Sequence, residues 1–234
     1  MFKHQNKTNM RKWYNGAAFG ALAMLAVACG GNTGEAVEAT DAQAVEEVAA
    51  EASYMVEAGS VLKWEGFKTY SDGKHFGTVN LTEGSVTTKG SDLVGGKFTF
   101  DLNSINSLDM KPEDEYRAKL IGHLMSPDFF DVANHPTASF EITGVEAAAD
   151  EAGNTHKISG NLSIRGITKN ISFPAHVMMH EGMVHIKAPT FTINRTDWGV
   201  QYGSANGVEV TDAIKDKLID NNIKFEFDLK ANKA

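Results

Sequence analysis

Residues 95–105 read GGKFTFDLNSI, and Phe98, Phe100 and Leu102 alternate there with Lys97, Thr99, Asp101 and Asn103. Side chains of a β-strand point to opposite faces in turn, so this stretch makes a strand with one apolar and one polar face. The same period continues outward along the chain. TASFEIT alternates Ala138, Phe140 and Ile142 with Ser139 and Glu141, and HKISGNLSIRG alternates Ile158, Leu162 and Ile164 with Lys157, Asn161 and Arg165. ISFPAHVMM offers Ile171, Phe173, Ala175 and Val177; MVHIKAPTFTIN offers Val184 and Ile186, then Phe191 and Ile193. IKFEFDLK sets Ile223, Phe225, Phe227 and Leu229 against Lys224, Glu226, Asp228 and Lys230. About eight strands at short spacing predict an antiparallel, all-β sheet rather than βαβ units. Each strand has one apolar face and no helical layer to cover it, which predicts a sheet closed into a barrel. Two short helices are expected. One covers PEDEYRAKLIGHLM, with acids in its first turn after Pro112, and the other covers DAIKDKLID.

The first 28 residues read differently. Lys3, Lys7, Arg11 and Lys12 precede the apolar run NGAAFGALAMLAVAC, which has the form of a basic and then an apolar region of a signal peptide. The run is shorter than the ~20 residues a membrane helix needs. AVAC, Ala26 to Cys29, resembles a bacterial lipoprotein box, which implies cleavage before Cys29 and acylation of that residue as the mature N-terminus. An ordinary signal peptide with an incidental cysteine is the alternative. Cys29 is the only cysteine, so no intrachain disulfide forms. Residues 29–52 are acidic and small, with no large apolar side chain beyond valine. They are expected to form a flexible linker, spanning roughly 25–30 Å from Gly30 onward, that lets a domain of residues 53–234 hover near the membrane. The formal charge is −8; without the four cations and no acids of residues 1–28 it becomes −12. That excludes nucleic acid and anionic headgroups as main partners.

Residues 123–143, HLMSPDFFDVANHPTASFEIT, join a helix to a strand. Pro127 ends the helix, Pro136 forces an extended residue before it, and Phe129 and Phe130 are apolar anchors suited to plugging a barrel end. Asp128 and Asp131 are expected to cap backbone amides. This stretch, with ISGNLSIRGITKNISFP and FTINRTDWGV, resembles the three signature segments of the YceI-like family, over roughly residues 53–230. The resemblance implies a lipocalin-like barrel in the bacterial cell envelope that binds polyisoprenoids and similar amphiphiles. KHFGTVNL meets the family's histidine-containing second strand loosely. EGSVTTKGSDLVGG replaces its usual glycine-phenylalanine segment, and Asn170 stands where it has proline.

The expected function is therefore binding, sequestration or transport of a long apolar ligand such as a polyisoprenoid, isoprenoid quinone or fatty acid. No bond is made or broken and no cofactor is needed. The expected ligand wall is Phe98, Phe100, Phe140, Ile142, Leu162, Ile164, Phe173, Phe191, Ile193, Phe225 and Phe227. Leu120, Leu124, Phe129 and Phe130 form a lid or plug, and Trp64 and Trp198 belong to either group. A filled barrel serving as a structural or protein-binding lipoprotein is the alternative. Two rival chemistries are weaker. His176, His180 and His185 flank an expected turn at Glu181–Gly182, and with Met178, Met179 and Met183 they raise zinc or copper binding, but no carboxylate or cysteine completes the set. Ser126, Asp128 and His123 are close in sequence without the strand-turn-helix context of a nucleophile elbow. Arg165 and Arg195 lie beside turns, either tied there by a turn bond or a salt bridge such as one to Asp197, or facing a polar headgroup at the barrel mouth.

Overall fold

The computed structural model describes residues 34–46 and 48–234; Cys29 and the leader of residues 1–28 lie outside these. The elements in chain order are β1 (Glu35–Ala36), β2 (Thr40–Asp41), β3 (Ala52–Val56), β4 (Val61–Lys68), β5 (Lys74–Lys89), β6 (Asp92–Ser107), α1 (Glu115–Met125), β7 (Thr137–Ala147), β8 (His156–Ile164), β9 (Ile167–His180), β10 (Met183–Asn194) and β11 (Ile219–Lys233). From β4 to β11 each strand pairs antiparallel with the next, and β11 returns to pair with β4. This is a closed eight-stranded barrel, as the alternation predicts, and it has the lipocalin-like form that the family resemblance implies. β3 continues the line of β4 after a turn, pairing with the far ends of β5 and β11.

The apolar faces turn inward. Phe98, Phe140, Ile158, Phe173, Ile186 and Phe191 are all at most 8% exposed. Where β10 meets Pro189 a bulge lies between Ala188 and Phe191. The extra residue moves the inward phase from Val184 and Ile186 to Phe191 and Ile193, which is why two alternating sets occur in one strand. Glycine makes room where aromatic rings cross the sheet. A Cβ on Gly160 would stand 2.2 Å from Phe140 Cζ, so Phe140 can lie over β8 only because β8 has no side chain there.

One helix forms. Asp114 caps α1 by accepting from the Tyr116 amide at 2.9 Å, and Ser126 ends it, its amide reaching the His123 carbonyl. The second expected helix does not form. DAIKDKLID makes only a single 3-10 turn at Lys215–Lys217, and Ile219 already pairs with Lys68 in the sheet. Nine residues are too few to offset helix nucleation when a strand can take the same residues.

The expected linker of residues 29–52 is also corrected in its described part. Residues 34–43 are strapped to the barrel. β9 and β10 pair only from His176–His180 to Met183–Lys187, and beyond that point the strap lies between them. β1 pairs parallel with β10 at Phe191 and Thr192, and β2 pairs antiparallel with β9 at Lys169 and Asn170. Val37 and Ala39 rest on the core, and the Val37 amide donates to the Thr192 carbonyl at 2.8 Å. Gly34 passes so close that a Cβ would be 2.3 Å from the Thr190 carbonyl oxygen. The small residues that argued for disorder are what lets the segment fit a narrow seam.

Candidate functional site

The interior of the barrel is hollow. A cavity of about 610 Å3 runs from Ile158, Ile186 and Leu229 deep inside to a mouth between α1, the β4–β5 loop and residues 199–222. That volume is within the range of small-molecule sites, ~300–1,000 Å3. Its wall is aromatic. Phe98 and Phe140 stand 6.3 Å apart, Phe140 and Phe173 5.5 Å, and Phe173 stacks on Phe191 at 4.6 Å with 10° between planes. Phe227 meets Phe173 edge-on at 5.6 Å, and Phe225 stands 6.0 Å from Phe191. The Phe173–Phe191 stack bridges β9 and β10 where their hydrogen bonds have stopped, so it closes the seam from inside while the strap closes it from outside.

The expected wall residues Phe98, Phe100, Phe140, Ile142, Leu162, Ile164, Phe173, Phe191, Phe225 and Phe227 all line the cavity, as do Leu120, Leu124, Phe129 and Phe130 at the mouth. Ile193 does not. It is 1% exposed and belongs to the solid part of the interior. Of the two tryptophans, Trp64 lines the cavity; Trp198 is fully buried away from it, its indole donating to the Leu162 carbonyl at 2.9 Å. Sequence reasoning missed Leu62, Val79, Ile105, Ile158, Ile171 and Val200 among the wall residues. Ile158 and Ile171 carried the period-two signal and were legible; Val200 sits in a loop and carried none.

The mouth is held by arginines acting inward on backbone. Arg195 Nε donates to the Asp220 carbonyl at 2.9 Å, Nη1 to Val200 at 2.7 Å and Nη2 to Ile219 at 3.1 Å. Burial pulls its pKa down, and the charge of Asp220 opposes that shift. Arg165, at φ 51°, donates to the Pro127 carbonyl at 3.0 Å and to the Phe129 carbonyl. Neither bonds Asp197; only the Arg195–Val200 bond is local to its turn, the others tie distant segments together, and Arg195 also lines the cavity. Phe129 is thereby fixed, and His123 packs edge-on between it at 4.9 Å and Tyr202 at 4.6 Å. Asp128 and Asp131 do not cap amides as expected. The Asp128 carboxylate meets His123 Nε2 at 3.1 Å, and that of Asp131 accepts from the Asn134 side chain at 3.0 Å. The Ser126 hydroxyl donates to the His123 carbonyl at 2.8 Å, so serine, histidine and aspartate are not in relay.

The histidine cluster is dispersed into separate bonds. His176 Nδ1 meets the Gly153 carbonyl at 2.7 Å and His185 Nε2 meets Asp228 at 2.5 Å. Among the described residues no group of three or more His, Cys, Asp or Glu is disposed to hold a metal ion. The Trp64 indole N–H is buried and meets no acceptor there.

The sequence profile of the YceI-like domain matches residues 50–231, and the chain belongs to that family. It is 37% identical over 86 residues to a UPF0312 protein of Azotobacter vinelandii, covering 34% of this chain and 43% of that one. It is 34% identical over 89 residues to the protein YceI of Salmonella arizonae, covering 36% of this chain and 44% of that one. The chain thus matches less than half the length of these curated relatives. BcnA of Burkholderia cenocepacia shares the fold at TM-score 0.52 and 16% identity, over 74% of this chain and 96% of that one. A polyisoprenoid binding domain from Saccharophagus degradans, implicated in plant cell wall breakdown, shares it at TM-score 0.51 and 16% identity, over 79% of this chain and all of that one.

Proposed function

With membership of the YceI-like family as premise, we propose that this protein binds a long-chain apolar ligand inside its barrel and holds it in the bacterial cell envelope, anchored through an acylated Cys29. Polyisoprenoids, isoprenoid quinones and fatty-acid-like lipids are the candidate ligands. The observation that carries this reading is the cavity of about 610 Å3, walled by phenylalanine and aliphatic side chains, in a barrel of a size that side chains can fill completely. The name of the Saccharophagus degradans domain, which shares the fold, agrees with it. The mechanism is sequestration. Each methylene taken from water is worth about 0.8 kcal/mol, so ten give roughly 8 kcal/mol before the cost of association. Apolar walls give affinity for chain length and little discrimination of chain chemistry.

The test is native mass spectrometry of the purified protein with organic extraction, followed by exposure to a mixture of prenyl lipids and fatty acids. The expected result is one long-chain lipid per chain. Protein that carries no lipid and takes up none from the mixture sinks the reading. For the anchor, Cys29→Ala is expected to release the protein from membranes. Membrane retention unchanged, with no lipid on the mature N-terminal peptide, removes the anchor from the proposal.

A further inference from the structure

The methionines and histidines of HVMMHEGMVH, residues 176–185, take no part in the cavity; none of them lines it. The stretch forms the hairpin of β9 and β10, turning at Glu181–Gly182, where Gly182 has φ 78°. The register decides which side chains meet. His180 stands opposite Met183, Met179 opposite Val184, and Met178 opposite His185. Residues directly opposite in an antiparallel pair share a face, and so do residues two apart on one strand. Val184 is buried and Met179 packs against the core, so that pair points inward. The two pairs that flank it, Met178–His185 and His180–Met183, point outward. Each joins a thioether to an imidazole, and the two thioethers lie on one diagonal. Cβ atoms directly opposite are about 5 Å apart and those two residues apart on a strand about 7 Å, so the centre of the four is about 4 Å from each. Side chains of this length converge over such a centre.

His185 is prepared as a ligand by a second, independent contact. Its Nε2 meets the Asp228 carboxylate at 2.5 Å. An ionised carboxylate only accepts, so Nε2 carries the proton and Nδ1 keeps its lone pair. A carboxylate behind the imidazole is the usual support of a metal-binding histidine. All four outward donors are neutral, and two of them are thioether sulfurs. Thioethers are soft ligands that select Cu(I), whereas zinc sites draw on thiolate, imidazole and carboxylate. The want of a carboxylate or cysteine, which counts against zinc, is therefore no loss for a soft monovalent ion. Lys230 stands opposite His185 on β11 and repels a divalent ion more than a monovalent one. Core packing gives the two outward methionines no role, since of the hairpin's three methionines only Met179 rests on the core.

We propose that Met178, His180, Met183 and His185 form a Cu(I) site on the outer face of the β9–β10 hairpin, with Asp228 orienting His185 behind it. The site lies outside the barrel wall and is separate from the cavity. It gives the protein a second function, the capture of Cu(I), that does not rest on lipid binding.

The experiment uses the full-length chain with Cys29→Ser, which removes its one thiol. Cu(I), kept reduced by ascorbate under nitrogen, is titrated in competition with the chromogenic chelator bicinchoninate. The expected result is one Cu(I) held per chain, with both sulfur and nitrogen ligands in its X-ray absorption spectrum. The double variant Met178→Leu with Met183→Leu, and separately His180→Ala, should each weaken binding at least about tenfold, and Asp228→Asn by about tenfold. Methionine to leucine conserves volume, and an unchanged Tm shows that the variants are folded. Met179→Leu, on the inward face of the same hairpin, should leave the affinity unchanged. No Cu(I) retained against the chelator, a smaller loss in either the double variant or His180→Ala, a loss for Met179→Leu as large as theirs, or displacement of Cu(I) by excess zinc overturns the proposal.

Discussion

Gly160→Ala tests the hollow interior most directly. Gly160 faces inward on β8, and a methyl group there would stand 2.2 Å from Phe140 Cζ, 2.6 Å from Cε2 and 2.7 Å from the Glu141 carbonyl oxygen. Contacts between carbons need about 3.5 Å, so the ring must retreat by more than an ångström. Phe140 lines the cavity, so its ring has open space on one side, with Phe98 and Phe173 as its aromatic neighbours. The strain that remains is at the Glu141 carbonyl, which belongs to the paired strand β7 and yields less easily. Overpacking of a tight core costs ~1–3 kcal/mol. With empty space on one side the expected cost is about 1–2 kcal/mol, a fall of roughly 2–8 °C in Tm for a domain of this size. Bound lipid should fall severalfold, because the ring now occupies its volume. Thermal melting and native mass spectrometry read the two effects on one preparation. A double variant with Phe140→Leu removes the ring that clashes, so the two changes should be strongly non-additive and lipid uptake should partly return. A loss well above 3 kcal/mol with lipid content unchanged would refute the reasoning, since it would mean that Phe140 has nowhere to go.

Three further outcomes follow from the barrel's supports. Deleting residues 34–43 removes the cover of the β9–β10 seam, and a cost of about 2–3 kcal/mol in thermal melting is expected; a Tm within a degree of the intact chain would show that the strap is not part of the fold. Arg195→Met leaves the carbonyls of Val200, Ile219 and Asp220 without their donor, so a loss of about 3 kcal/mol is expected in denaturant unfolding, against little change for the exposed Lys157→Ala. The Glu65 carboxyl is held below its ordinary pKa, first by the hydrogen bond from Lys224 and then by Lys74, against burial that acts to raise it. Its contribution to stability is complete above its unfolded pKa and is lost as pH falls through the folded value, so Glu65→Gln should flatten the acid side of a Tm-versus-pH curve.

The alternation of residues 95–105 and its neighbours revealed the barrel because a two-sided surface leaves a period in the sequence wherever one face is buried. The same period exposed most of the cavity wall, since wall and core are the same face of the same strands. It did not separate them. Ile193 and Phe191 carry one pattern, yet only Phe191 borders the cavity. That difference depends on what stands across the barrel, which no local window contains. The strap was illegible for a different reason. Its seat depends on one main-chain approach at Gly34 and on polar contacts: Gln43 exchanges bonds of 3.0 and 2.7 Å with Asn161, whose carboxamide oxygen also accepts from Asn170 at 3.1 Å. Asn170 occupies a position where the family resemblance led one to expect proline. Its side chain also donates to Thr143 Oγ1 at 2.9 Å, while its main-chain carbonyl accepts from Thr40 Oγ1 at 3.4 Å, a partner 130 residues away in sequence that no local window contains. The segment DAIKDKLID failed in the opposite direction, its composition favouring a helix that the sheet edge at Lys68 pre-empts.

The cavity persists because backbone closure, rather than side-chain volume, sets the barrel's width. Eight antiparallel strands joined in a ring have a diameter fixed by strand number and stagger. Side chains then either fill that diameter or do not, and the sheet cannot shrink onto them without breaking ladder bonds that are buried and costly to lose. Here the aromatic residues are spent along the wall. Phe140 leans over Gly160 toward Phe173, Phe173 stacks on Phe191, and Phe225 and Phe227 turn to the same pair. Each ring packs on a ring one or two strands along the wall. Rings arranged in this way line an apolar lumen, which favours an apolar occupant. A prenyl or acyl chain meets that requirement over its whole length, whereas a polar molecule would lose its hydration at every step inward.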